Sequence, residues 1–459
     1  MVANPTTACF QFPGFSGRRV VATFDEPRST SDAGALLLKA VDEELGLTAG
    51  IADCVYDPRR SGSVRHEISE LLRQRVFALA CGYADCNDAS RLAHDPMHKL
   101  LVGRDPVQGE ALASQPTLSR FENSLGPLTL YRIGVTMADS VIEQHRRRLR
   151  GRARCITIDL DSTVDPTHGA QQQSLFNGFY DSWCFLPMLG LISFDREPEQ
   201  YLCAAVLRPG NASDKVGAIP ILRRLIEYLR VAFPQARLRV RLDAGFASPK
   251  IFDFLDAEPR LDYVVGMPKN AVLLRRTRGL MAQARRLSRK SQVTEHVYGE
   301  CAYAAKSWPE ARRVVVKAEV VQHPGRKPKN NPRFVVTNLK QSPRWIYRHL
   351  YSERGDAENR IKELKLGLAI DRTSCSSFLA NQFRVLLTAT AYVLLQGLRL
   401  HARATSYARA QVSTLRDHLL KIGARVTASA RRVVLHLPAT FPYQDAWRRI
   451  AISLGAAAG

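Results

Sequence analysis

No two cysteines in this sequence have the spacing of a metal-binding or redox motif. Nine lie scattered at positions 9, 54, 81, 86, 155, 184, 203, 301 and 375, with no CxxC and no paired histidine ligands. That excludes a disulfide framework and a zinc module and fits a reduced cytoplasm; Cys81 and Cys86, the closest pair, read as buried thiols. Long hydrophobic runs are also missing. The longest largely apolar stretch, Val385 to Leu395, is closed by Arg384 on one side and by Gln396 and Arg399 on the other. It has about half of the roughly 20 residues a membrane span needs and reads as a buried helix. No signal-peptide pattern opens the chain. A P-loop, a GxSxG elbow and an HExxH helix are absent, as are internal repeats and low-complexity tracts. Acids are scarce as well: 43 Asp and Glu stand against 66 Lys and Arg, a formal charge of +23. Such a surplus points to a polyanionic partner, nucleic acid ahead of an anionic membrane, with a merely basic proteome as the bland alternative.

What is there is ordinary globular material, 459 residues with 45% hydrophobic and 24% charged side chains, enough for two or three structural units. Residues 1 to about 35 are rich in Gly, Pro and Ser and read as irregular or strand-like. Apolar spacing over Ala35–Leu45 and His66–Ala80 is helical. Between Val107 and Leu125 a break at Gln115-Pro116 fits either a helix-turn-helix, with Arg120 or Asn123 facing DNA, or a plain helical hairpin. The run from His145 to Arg154 reads as a basic linker able to grip phosphate, or as a solvated hinge. From Cys155 the period changes to two: Ile156, Ile158 and Leu160 take one face, Thr157, Asp159 and Asp161 the other. Strand patterns follow at Cys184–Phe194 and Tyr201–Leu207, an amphipathic helix at Ser213–Phe233, a strand at Leu238–Leu242, a helix at Pro249–Leu255 and a strand at Tyr263–Gly266. This is a mixed α/β order. Residues 267–340 carry seven bases from Arg275 to Lys290 with no acid among them, then strand patterns at Tyr298–Lys306, Arg312–Gln322 and Phe334–Asn338. They read as a β-rich basic insertion. Helical spacing returns from Trp345, with a last strand-like piece at Arg432–Leu437.

Three acids stand out. Asp161 ends the first strand, and Asp243 ends a later one, where Gly245 permits a sharp turn. Each alone reads as readily as a turn-capping Asp. The third, Glu358, changes the balance. At 100° per residue, Tyr351, Arg354, Glu358 and Lys365 fall within an arc of about 60° on one helical face. An acid, two bases and a phenol on one stripe are not a core face. They suit a carboxylate metal ligand with phosphate-holding neighbours, since two-metal phosphodiester chemistry needs a few acids converging from separate elements.

The spacing Tyr-x2-Arg-x3-Glu-x6-Lys at 351–365 resembles the YREK signature of bacterial insertion-sequence transposases of the DDE class. Asp161-Ser162-Thr163 with Asp165 to Gly169, and Asp243-Ala244-Gly245-Phe246, look like that group's first and second aspartate regions. The resemblance spans roughly residues 155–400. It implies a ribonuclease-H-like core, two Mg²⁺ or Mn²⁺ ions held by Asp161, Asp243 and Glu358, double-stranded DNA (transposon ends and target) as partner, and a homodimer pairing two ends. It also implies that Tyr351, Arg354 and Lys365 hold DNA, and that a tryptophan in the insertion stacks on a flipped base. Trp308 is the candidate, with a structural Trp as the alternative. Asp159 shares the strand face of Asp161 and competes with it as first ligand.

The expected organisation is a mainly helical DNA-binding region over residues 1–150, which includes Arg120, and a catalytic core over 151–266. The β-rich insertion over 267–340, the Glu-bearing helix and its successor over 341–400 and a C-terminal region over 401–459 complete it. The expected protein is cytoplasmic, DNA-associated and not in a membrane. Its rivals are a ribonuclease-H-like nuclease without a transfer step and a catalytically silent, transposase-derived DNA-binding protein.

Overall fold

The computed structural model describes residues 9–457. A hairpin of β1 (Phe10–Phe15) and β2 (Arg18–Ala22) leads to the short β3 (Ser29–Thr30). Apolar spacing then gives helices α1 (Leu36–Leu45), α2 (Leu47–Asp53) and α3 (Ile68–Ala80). Three shorter ones follow, α4 (Ala89–Leu92), α5 (Pro96–Val102) and α6 (Gln115–Glu122), before the 23-residue α7 (Pro127–Leu149).

The helix-turn-helix does not form. Residues 103–114 are turns and irregular chain. Asp105 accepts from the N–H groups of Val107 (2.8 Å) and Gln108 (2.6 Å), and the Gln74 side chain bonds both the N–H (3.1 Å) and the carbonyl (2.9 Å) of Ala113. These partners satisfy the backbone where the first helix was expected. Arg120 is exposed on α6, donating to Thr117 one turn back. Nor is the basic run at 145–154 a linker at its start, because α7 continues to Leu149. His145 is fully buried with its ring 3.9 Å from that of Tyr201, and Arg148 forms a two-pronged bond to Glu197 (2.6 and 2.9 Å). Arginines in a last helical turn also complement the helix dipole.

The alternation starting at Cys155 produces β4 (Cys155–Ser162) with its apolar face buried. After it, β5 (Asp165–Pro166), β6 (Leu175–Asn177) and β7 (Ser182–Phe185) form a small antiparallel sheet in the order β5-β7-β6. The chain re-enters the main sheet as β8 (Met188–Phe194) and β9 (Tyr201–Val206). Helix α8 (Ala218–Ala232) crosses to β10 (Arg237–Leu242), and α9 (Pro249–Ala257) to β11 (Leu261–Met267). Strand β4 lies antiparallel to β8 and parallel to β10, which lies parallel to β11.

Residues 267–340 begin with two helices rather than strands, α10 (Ala271–Arg276) and α11 (Arg278–Ser291). Met281, Ala284 and Ser288 give α11 a narrow buried stripe, and most of the basic residues around it are exposed. The strands that follow, β12 (Glu295–Tyr303), β13 (Arg312–Val321), β14 (Lys329–Asn330) and β15 (Arg333–Thr337), join the same sheet. Its order is β12-β13-β15-β11-β10-β4-β8-β9, with β14 beside β13, nine strands in all. The expected boundary at 267 therefore leaves no break in hydrogen bonding, since β15 pairs directly with β11.

After α12 (Pro343–Ile346) come a π-helical turn (Tyr347–Tyr351), a 3-10 turn (Ser352–Arg354) and α13 (Gly355–Leu368). The apolar α14 (Phe378–His401) is long and apolar enough to cross a membrane, but 83% of its apolar window is buried in the protein. It packs on α3, α7 and β9, and Phe121 of α6 meets Phe383 of α14 edge-on at 5.2 Å. One apolar core thus runs from the N-terminal helices through α14 to the sheet. Helix α15 (Val412–Leu415), strands β16 (Ala424–Ala428) and β17 (Val433–His436), and α16 (Gln444–Ser453) end the described chain.

Strand β16 pairs with β3. Beside this seam the buried Asp32 carboxylate accepts from His98 Nε2 (2.9 Å) and Lys421 Nζ (2.6 Å). Burial alone would raise this carboxyl, but the bonds and charges of His98 and Lys421 outweigh it and hold it below the usual range. Asp32→Ala, which strands the buried His98 and leaves the half-buried Lys421 without its partner, should cost about 3 kcal/mol. Urea unfolding followed by tryptophan fluorescence checks it; an unchanged midpoint would mean that the cluster contributes nothing.

Candidate active site

Parallel pairing sets Leu160 of β4 beside Leu242 of β10. Asp161 and Asp243, each one residue farther on, therefore reach the same sheet edge from neighbouring strands. This carboxyl end is where ligands bind in open α/β sheets. Past β10 the chain turns sharply, with the Gly245 N–H donating to Asp243 Oδ1 (2.8 Å). A Cβ at Gly245 would run into the Asp214 carboxylate, which would have to move aside.

Glu358 enters from α13. One turn before it, Arg354 donates to Asp161 Oδ2 (3.0 Å) and to the Glu358 carboxylate, bridging two of the three acids. Asp161 is the more enclosed, with 14% of its side chain exposed against 46% for Glu358. Burial pushes the Asp161 carboxyl up to about 7; Arg354 works against this, and the charges of Asp243 and Glu358 add to it. Asp243 is raised too, by burial first and by Asp214, with Arg354 again opposing.

The helix bearing the four-residue stripe is interrupted by the π and 3-10 turns, yet its side chains reach one rim. The Tyr351 hydroxyl lies against Gly266, where a Cβ would strike it. Lys365 donates to the Val164 carbonyl (2.6 Å) and faces Asp371 at 3.5 Å. The competing Asp159 is elsewhere engaged: 1% exposed, it accepts from Arg241 (2.6 and 2.8 Å) and Gln200 (3.0 Å).

Trp308 is not at the site. It is 9% exposed, meets Phe252 and Tyr303 edge-on at 5.0 and 5.3 Å, and carries the Arg312 guanidinium over its ring at 4.9 Å. A base would have to displace Arg312 to stack there. Arg120, on α6, makes no contact with the three acids among the described residues.

Two residues at the cleft were not singled out by sequence reasoning. Ser213-Asp214 looks like a helix cap, but α8 starts only after Gly217, whose φ of +82° breaks the helix. Buried Arg208 explains the delay: it binds the carbonyls of Ser213 (2.9 Å) and Val216 (3.1 Å) and the Ser162 hydroxyl (2.7 Å). It thereby fastens the Asp214 loop to the end of β4. The Arg208-Pro209-Gly210 punctuation was the available signal.

The family described as transposase DDE domain group 1 matches residues 12–457. The chain belongs to this family. It is a DNA transposase, an enzyme of metal-dependent strand cleavage and strand transfer. Among solved structures the transposase is similar to the cryo-EM structure of the piggyBac transposase synaptic complex with hairpin DNA. Identity is 10%, coverage 85% of this chain and 80% of that one, and the TM-score 0.39. No curated protein matches the sequence.

Asp161, Asp243 and Glu358, with Asp214 beside them, offer the transposase only oxygen donors in a half-desolvated cleft. That donor set fits hard divalent cations. Folded Asp161 titrates near 7, against about 4 in an unfolded chain, so metal-free protein loses stability as pH rises between those values. Thermal melts in chelator should show wild type falling relative to Asp161→Asn from pH 5 to 8. Because a cation requires the carboxylate, Mn²⁺ binding should tighten over the same window and release protons, measured by calorimetry in two buffers. Binding that is flat with pH would contradict the raised carboxyl.

Proposed function

We propose that Asp161, Asp243 and Glu358 are the catalytic carboxylates with which this transposase nicks the ends of its own bacterial insertion sequence and joins them to target DNA. The observation that carries this reading is the pair of strand-end aspartates tied through Arg354 to Glu358. The strand order β9-β8-β4-β10-β11, three antiparallel then two parallel, supports a ribonuclease-H-like core. Asp161 rather than Asp159 is the first ligand, because Asp159 is spent on Arg241. Asp165 is no substitute: it is fully buried and accepts from the Thr373 hydroxyl (2.8 Å).

Two Mg²⁺ or Mn²⁺ ions held by these carboxylates would supply Lewis-acid activation of water for nicking and of the 3′-hydroxyl for joining. Arg354 offsets the mutual repulsion of Asp161 and Glu358, keeping them together before DNA arrives, and its fork suits phosphate oxygens. Tyr351 and Lys365 border the same rim and hold the strand. The exposed arginines of α10 and α11 neutralise backbone phosphates farther out. Residues 1–150 recognise the terminal inverted repeats; Arg59, Arg65 and Arg120 line one groove there. Two ends are paired by a homodimer.

Glu358→Gln should reduce Mg²⁺-dependent cleavage and joining of a labelled end duplex to background while binding persists. Undiminished cutting would overturn the assignment. Arg285, Arg286 and Arg289 changed together to glutamine should weaken binding across all sequences. They should also lower the slope of log K against log salt by about 1 for each phosphate that is no longer neutralised. Fluorescence anisotropy from 50 to 200 mM salt measures both, and an unchanged slope would remove α11 from the interface.

A further inference from the structure

The hairpin of β1 and β2 carries an apolar side without a cover. Ser16 and Gly17, with φ of +51° and +75°, close it, and the ladder sets Phe10 opposite Ala22 and Phe12 opposite Val20. Residues directly opposite share a face, so Phe10, Phe12 and Val20 stand on one side of the ribbon. Phe24, just beyond β2, meets Phe10 edge-on at 6.2 Å. All four are open: Phe10 is 48% exposed, Phe12 56%, Val20 42% and Phe24 89%. Residues 10–14 and 16–29 are exposed throughout. A two-stranded hairpin by itself is marginal in water, and an uncovered apolar patch of this kind marks a binding surface.

A second apolar surface lies open on the body of the protein. Helix α7, strand β9, the start of α8 and the start of α14 enclose a groove of about 550 Å³, lined by Leu130, Val135, Val206, Val216, Ile221 and Phe378 among others. Val206 and Val216 are 36% and 56% exposed. Strand β9 is the last of the main sheet, yet its edge is already taken. Gln382 of α14 accepts from the Leu207 N–H (2.6 Å) and donates to the Ala205 carbonyl (3.1 Å). Gln396 does the same for Leu202 (3.0 Å) and Gln200 (2.6 Å). With those peptide groups satisfied, the groove takes apolar side chains rather than a further strand. The charged side chains of its lining are engaged too: Arg208 donates to Ser162 (2.7 Å), and Arg224 faces Asp139 at 3.7 Å. A phosphate-bearing partner would find little there.

We propose that the β1–β2 hairpin of each copy lies in this groove of a second copy, an exchange of arms between the two chains. The proposal rests on the reading of a homodimer given above and names its contact surface. Area commits the groove to a second copy. At the exposures just given, one hairpin offers roughly 400–500 Å² of apolar surface. Two hairpins and the groove walls they cover bury about 1,600–2,000 Å² in all, the size of a stable and specific interface. A two-fold pairing makes each contact twice, so one chain carries both the arm and its receptor.

The test uses the full chain in size exclusion with light scattering, first without DNA and then on a labelled end duplex. The arm variant is Phe12→Ser with Phe24→Ser, and the groove variant is Val206→Asp with Val216→Asp. All four positions are exposed, so the thermal melts should match wild type. Each phenylalanine removed should weaken the dimer by about 10- to 150-fold, leaving either variant alone as a monomer. Mixed together, the two should form a heterodimer, because the intact arm of the groove variant meets the intact groove of the arm variant. An arm variant that dimerises like wild type would overturn the exchange and leave the homodimer reading standing, whether or not it releases the duplex. A mixture of folded variants that stays monomeric would overturn the pairing of this arm with this groove. A wild-type chain that is monomeric on and off DNA would remove the homodimer reading along with the exchange.

Discussion

Slide β4 by one residue against β10 and the site disappears. Side chains alternate along a strand, so a single-residue slip would turn Asp161 into the core and bring an apolar side chain to the cleft. The register is held by the ion pair between Asp159 and Arg241, registered partners on these two strands and both nearly inaccessible. A buried pair of this kind is weak evidence of net stability, but breaking it is costly, and it discriminates strongly against misaligned pairings. Arg241 also donates to the Leu350 carbonyl (2.8 Å), so the same guanidinium ties the segment leading to Glu358 to the aspartate-bearing strands. Three clustered acids from distant parts of the sequence share one anchor.

Gathering negative charge at that edge creates the opposite problem. Asp161, Asp243, Asp214 and Glu358 repel one another, and the first two are partly desolvated as well. Arg354 resolves this in the metal-free protein by lying between two of them. Fold and function make the same demand on this residue: a cation must stand among the acids at every stage.

Much of this was legible in the residue order. Strand β4 announces itself because a period of two next to a basic, helical run is hard to mistake, and the 351–365 spacing pointed to the rim although the helix is not continuous. What escaped notice depended on partners far away. The turns at 103–114 are held by Gln74, nearly forty residues earlier, and no local pattern records that. Trp308 is buried by Phe252 and Arg312, which lie on other elements. Helices α10 and α11 were hidden by their own arginines, since a stripe of Met281, Ala284 and Ser288 is too thin to outweigh so many polar neighbours. The supposed insertion had the expected strands, but pairing between β15 and β11 is a tertiary fact that composition does not encode.

The seam between β3 and β16 joins residues nearly four hundred positions apart. Gly34 presses on the backbone of Leu419 and Leu420 so closely that no side chain would fit. On the ribosome, the early segment waits almost the whole of synthesis for its partner, with its strand edge uncovered. Such long-range closure slows folding and leaves intermediates prone to aggregate. It also acts as a form of proofreading by length: a chain cut short before residue 424 lacks the strand that seals its own beginning.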